Sequence, residues 1–213
     1  MKKYFIIAFM ALGMSAMAQH VTPLSIEIAD MKLDSLRTLY VSEPTMYRAA
    51  LEVVAQNLAK NAEEIKAAKA ELKVEQSHAK EMGNSLKEAT KMTASLKKLY
   101  AKEESELKSM QKVVEKQQKT LNKQKELNQE TRDNYLQILE KQQKELGYSI
   151  REVADRQRAI SDMETTLQNG QTRLQSYIQE TQQKAVELAQ LEAQLKERTA
   201  TLKAEQKSAK SMQ

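Results

Sequence analysis

A seven-residue stripe runs through most of this chain with no proline to stop it, and few architectures can hold such a stripe. Every seventh residue from Leu58 is Leu58, Ile65, Leu72, Ala79, Leu86, Thr93, Tyr100, Leu107, Val114, Leu121, Asn128 and Tyr135. A second column starts at Leu139 and continues through Leu146, Val153, Ile160, Leu167, Leu174, Thr181, Leu188, Leu195, Leu202 and Ala209. The last proline is Pro44. Proline inside a helix removes a hydrogen bond and clashes with the preceding turn, so its absence permits very long helices. A heptad kept this strictly predicts an all-α fold, a long left-handed coiled-coil rod, because a 3.6-residue helix must supercoil to hold a 3.5-residue seam together. The step from Tyr135 to Leu139 is four residues, which predicts a change of supercoil or a hinge near 135–139.

Composition points the same way. The chain has no Trp and only four Gly, and 30% of its residues are charged. Such a mixture, rich in Ala, Glu, Lys, Gln and Leu, belongs to long helices and coiled coils. The seam is lopsided, however. Its second column reads Asn61, Ala68, Glu75, Met82, Ala89, Leu96, Glu103, Met110, Gln117, Gln124, Thr131 and Ile138. A stable two-stranded coil needs both columns apolar. This one is expected to open, slide or receive another surface. Glu104–Lys108, Glu115–Lys119, Glu140–Lys144, Glu152–Arg156, Glu180–Lys184 and Glu192–Lys196 are acid-to-base pairs at i,i+4. Each contributes about 0.2–0.5 kcal/mol to an exposed helix, and the lysine runs are read as a solvated face. Gly83, Gly147 and Gly170 mark possible turns between antiparallel helices. The apolar column passes through all three without losing its spacing, which favours a continuous rod over a helical hairpin.

The first 43 residues differ. Lys2 and Lys3, then an apolar run from Tyr4 to Leu12, then Ala16-Met17-Ala18 form the three parts of a secretory signal peptide over 1–18. The run is too short to span a bilayer, which takes about 20 apolar residues. The expected mature chain begins at Gln19, is exported to the periplasm or medium, and has no membrane span. It carries no cysteine, so its order cannot rest on disulfides. Residues 19–43 are expected to form a short non-coil segment. Leu24, Ile26 and Ile28 alternate with Ser25 and Glu27, a strand signal. Met31 to Tyr40 fits a short helix. Ser42-Glu43-Pro44 looks like a helix start, with Ser42 as cap and Pro44 in the first turn. The long coiled-coil helix is then expected over 44–213.

The chemistry of catalysis is hard to place. The two histidines are His20 and His78, the aspartates are scattered, and no HExxH, GxSxG or phosphate-loop pattern occurs. His78, with Glu75 and Glu81 three residues to either side, reads as an exposed helix histidine rather than a metal ligand. The expectation is a non-enzyme with no catalytic, cofactor-binding or metal-binding residues and no cofactor. Nucleic acid is disfavoured as a partner because the charge is mixed in sign, at +5 overall, and no aromatics interleave the bases. Tyr100 and Tyr135, in the core column, are read as packing residues; Tyr148 is read as exposed.

These features predict a structural spacer or protein-interaction scaffold in the bacterial cell envelope, assembled as a homo-oligomer (a dimer or trimer) with a protein partner. The alternative is a periplasmic holdase chaperone. Export, a basic helical body and the stretch Ile26-Glu27-Ile28-Ala29-Asp30-Met31 are similar to the Skp/OmpH-type chaperones. That resemblance implies a strand body with returning helices, closed by a C-terminal strand. The chain departs from it at Lys207–Gln213, where no strand pattern occurs.

Overall fold

The computed structural model describes residues 21–124 and 126–211; the expected signal peptide lies outside them. The described residues form three helices: α1, Leu33–Ser42; α2, Pro44–Lys123; and α3, Gln129–Ser211. No β-strand occurs among the described residues. Gly83 lies inside α2, and Gly147 and Gly170 inside α3, so the glycines do not break the helices. The chain divides into two compact units, one over 83–172 and the other joining 18–82 to 173–213.

The first unit is a helical hairpin, and here the expectation of one uninterrupted helix is corrected. α2 stops at Lys123 and α3 starts at Gln129. The reversal uses neither Gly nor Pro. Asn128 caps α3: its Oδ1 accepts the Thr131 N–H at 2.8 Å, satisfying one of the first-turn donors that a helix leaves unpaired. Gln124 N–H closes a tight last turn onto Leu121 O at 3.2 Å. The Arg132 guanidinium reaches back from α3 to the Gln124 carbonyl, tying the two helix ends together. Val114, Leu121 and Leu139 form the buried cluster below the turn, joined by Leu127, Leu136 and Leu146. Further along, Tyr100, Val153 and Ile160 form a second cluster with Leu96, Leu107 and Met163. The two heptad columns therefore meet each other within the chain. The first column holds as far as Leu121 and fails at Asn128 and Tyr135, both exposed. The four-residue step at Tyr135–Leu139 is the trace of a chain reversal a few residues upstream, not of a hinge in a rod.

The second unit adds a third layer to its helix pair. Tyr47, Leu51, Leu58, Leu202 and Ala209 form one buried cluster, and Ile65, Ala68, Leu72 and Leu188 another. Onto these lies the N-terminal segment. Leu24 and Ile26 pack on the second cluster; Ile28, Met31, Leu33, Leu36 and Tyr40 pack on the first. The expected alternation is present, with Leu24, Ile26 and Ile28 half-buried and Ser25 and Glu27 exposed. The expected strand is not: the segment is extended, but its backbone bonds go to helix side chains. Burying each aliphatic side chain fully is worth about 1.5–3 kcal/mol, which favours seating the segment even without a ladder. Lys32, in the left-handed region at φ 41, then redirects the chain into α1. Pro44 opens α2 as expected, but Ser42 does not cap it. Ser42 is the last residue of α1, and its hydroxyl donates to Thr38 O at 3.4 Å.

Two polar members of the main heptad columns, Thr93 and Thr181, are satisfied within their own helix. Thr93 Oγ1 donates to Ala89 O at 2.9 Å and Thr181 Oγ1 to Ile178 O at 2.8 Å. A threonine bonded back into its own helix carries no orphan hydroxyl into the core.

Candidate functional site: one groove filled, one groove open

Both units contain two antiparallel helices that meet along a buried column and leave a shallow groove beside it. In the 18–82/173–213 unit that groove is filled by residues 21–32, which we call the strap. Asn61, 7% exposed, sits at its centre. Its Oδ1 accepts the Ala29 N–H at 2.9 Å and its Nδ2 donates to Glu27 O at 3.1 Å. A carboxamide carries the same donor and acceptor as a peptide group, so Asn61 pairs with the strap much as a neighbouring strand would. Arg198 of α3 donates through Nη1 to the carbonyls of Ile28, at 2.8 Å, and Ala29. Glu75 Oε1 accepts the Thr22 N–H at 3.2 Å.

Glu75 is itself held in place. Lys184, with a side chain only 4% exposed, donates to both its carboxylate oxygens at 2.9 and 3.0 Å. The spacing along α3 pairs Lys184 with Glu180, but Lys184 crosses to α2 instead. Glu192 likewise pairs across with Lys69. Of the pairs expected along a helix, Glu104–Lys108 and Glu152–Arg156 form. Tyr177 packs near the buried pair. Burial first, then the negative charges of Glu75 and Glu180, push its phenol above the usual value.

At the far end of this unit, Glu205 of α3 joins three elements. It accepts from the Arg37 guanidinium of α1 and, at 2.9 Å, from the Tyr47 hydroxyl of α2. The Arg37 hydrogen bond holds the Glu205 carboxyl below the ordinary carboxylate value, with the Tyr47 bond adding to it against the opposing effect of burial. Burial raises Tyr47 correspondingly.

In the 83–172 unit none of the described residues forms a strap over the groove. Met110 and Val113 from α2 and Tyr135 and Ile138 from α3 are 52–54% exposed. Two of them flank buried core residues, Val113 beside Val114 and Ile138 beside Leu139. Two cavities of about 770 and 690 Å³, which share Val113 and Gln142, run along this face. Their lining mixes apolar side chains with Ser, Thr and Gln, and carries acid at Glu106 and Glu145 and base at Lys116. The helix pair beneath is well braced. Lys97 meets Glu164 at 2.9 Å, Gln157 donates to Glu104 at 2.9 Å, and Arg156 lies over the Tyr100 ring at 5.7 Å. Bonds from Lys108, then Gln157, hold the Glu104 carboxyl below its usual value.

Tyr100 is in the core at 2% exposure and Tyr148 is open at 57%, both as expected from sequence. The heptad places Tyr135 in the core, yet it is half-exposed, because it belongs to the helix after the turn and not to the column before it. Met110 and Ile138 are visible in sequence as apolar members of the weaker column. Val113, adjacent to a core position rather than on either column, carries no periodic signal and escapes the sequence reading. His78 is exposed on α2. No group of three or more His, Cys, Asp or Glu able to hold a metal ion is found among the described residues. No described helix is long and apolar enough to cross a membrane. Compared with protein-family models, curated proteins and solved structures, the chain matches none.

Proposed function

We propose that this chain is a non-catalytic, exported protein-interaction scaffold of the bacterial cell envelope, whose docking surface for a protein partner is the open groove of the 83–172 hairpin. The observation that carries the reading is the exposed set Met110, Val113, Tyr135 and Ile138, gathered on one face of a helix pair whose core is already complete. Large apolar side chains clustered on a groove beside a finished core mark an interaction surface more often than a core defect. Helix pairs of this kind receive partner helices or extended segments through such grooves. Export is supported by the pattern of residues 1–18. The dimer or trimer expected from sequence belongs to the same proposal, but the heptad seam is occupied within each unit, so self-association would use outward faces.

The test is a photo-crosslinking amino acid at Val113 or Ile138 in cells, with exposed Ser95 as the control position. A discrete protein adduct at the groove and none at Ser95 supports the reading; equal labelling at both positions overturns it.

A holdase of the Skp/OmpH type is the second reading. The mixed apolar and amide lining of the groove suits transient contact with many unfolded chains. It predicts that the protein suppresses aggregation of an unfolded outer-membrane protein, and that Val113→Ser with Ile138→Ser removes the effect. No suppression at several-fold excess sinks it.

A further inference from the structure

The strap bears on a different surface from the open groove. Every polar contact described above between the helix pair and residues 21–32 is aimed at main chain. Asn61 takes the Ala29 N–H and the Glu27 carbonyl, Arg198 takes the carbonyls of Ile28 and Ala29, and Glu75 takes the Thr22 N–H. Strap side chains enter as apolar groups, Leu24 and Ile26 on one cluster and Ile28, Ala29 and Met31 on the next, at strictly alternate positions from Leu24 to Ile28. A surface that bonds backbone and, over 24–28, buries every second side chain recognises an extended conformation and an alternating pattern, not one particular sequence. This is how sheet edges accept an added strand, achieved here with side chains of two helices.

Two further facts mark the surface as built for an occupant. Its polar groups are positioned by contacts of their own, Glu75 by Lys184 and Asn61 by Glu64 at 3.1 Å. The strap is also joined to α1 through Lys32 at φ 41 and ψ 42. A non-glycine residue is disfavoured in that region, so the junction between strap and α1 carries a local cost.

We propose that the helix pair formed by 44–82 and 173–211 is a receptor for extended polypeptide, that residues 21–32 are its built-in occupant, and that a partner segment with apolar residues at three alternate positions takes the strap's place. The strap then acts as an internal competitor that sets how strong a partner must be. A tethered segment competes at an effective concentration of about millimolar, so a partner strand succeeds only if it fits better or if the strap is first weakened.

The test uses the full chain and a fluorescent peptide with the sequence of Val21–Lys32. Ile26→Asp with Ile28→Asp unseats the strap and leaves the receptor residues intact. This variant is expected to bind the peptide at least about ten-fold more tightly than the wild type, whose own strap competes. Adding Asn61→Ala and Arg198→Met is expected to reduce that binding by about ten-fold or more. A peptide of the same composition with the alternation scrambled is expected not to bind. Amide hydrogen exchange on the same samples reports whether residues 21–31 are released while the helices stay protected. The proposal is overturned if the released variant gains no peptide binding, if the scrambled peptide binds equally well, or if the strap stays protected despite both aspartates.

Discussion

The 83–172 hairpin and the strapped 18–82/173–213 unit are built from the same two helices and the same heptad columns, yet they treat part of the weaker column in opposite ways. In the strapped unit, Asn61 and Ala68 of that column are buried, and Glu75 is bonded to both Lys184 and the strap. In the hairpin, Ala89 of the same column is buried too, but Met110 and Ile138, nearer the turn, are exposed. The core beneath is complete in both. The difference therefore lies in the third layer and not in the seam. A polar residue at a heptad position is a defect only if nothing polar comes to meet it. Asn61 and Glu75 have an extended backbone to bond, and their polarity is what seats it.

The largest effects should strike both units alike, since their cores are equivalent. Leu188→Ala in the strapped unit and Leu139→Ala in the hairpin are each expected to cost about 2–5 kcal/mol. Hydrogen exchange resolved by unit is the measurement, and a cost in only one of the two variants would break the equivalence of the cores.

Next comes the buried ion pair, which should separate the units. Lys184→Met leaves the Glu75 carboxylate unpaired under the strap, at a cost of about 3 kcal/mol or more, whereas replacing both partners with Met is expected to be close to neutral for the helices. The double change, which also removes the Glu75 acceptor of the Thr22 N–H, should release the Thr22 end of the strap. Urea unfolding followed through probes in each unit would detect this, and equal sensitivity of the hairpin would contradict it.

A smaller, pH-dependent effect at Glu205 belongs to the strapped unit. Glu205 has its carboxyl held down by Arg37 and Tyr47, so it favours the folded state when ionised. That contribution is whole above the unfolded value of about 4.3 and drains away as pH falls from there through the lower folded value. Glu205→Gln should flatten this dependence between the α1 region and the helix pair and leave exchange in the hairpin unchanged.

The smallest effect has the opposite sign. Gly147 is helical, and a Cβ built on it meets nothing within 4 Å. Gly147→Ala is expected to stabilise the hairpin by about 0.5–1 kcal/mol through helix propensity. A thermal melt that moves downward instead would show that this face is packed against something.

Much of the fold is legible in sequence because it is periodic. Helicity and the positions of most core residues follow from a repeat that survives any context. The repeat alone assigns Tyr100, Leu121 and Leu139 to the core, and all three are buried. The chain reversal is harder to read. Its signals are an Asn cap at Asn128, a Lys at the end of one helix and Glu130 at the start of the next, without the Gly or Pro that usually marks a turn. The phase step near Tyr135 is evidence for it, but a hinge in a continuous rod leaves the same spacing. The candidate surfaces are half legible. Several of their members, Asn61, Glu75, Met110 and Ile138, lie on the weaker column, but no local signal shows which stretch is covered.

The sequence by itself determined that this protein is helical, that its helices carry one strong seam, and that an alternating segment precedes them. These are local matters, decided by proline's absence, side-chain period and propensity. Only the tertiary structure decided that the seam closes on itself within the chain, that the alternating segment is a strap bonded by Asn61, Arg198 and Glu75, and that the described residues leave the groove beside Val113 and Ile138 open. Those outcomes depend on which surfaces meet, and a heptad specifies that a partner is needed without specifying which chain, or which part of the same chain, provides it.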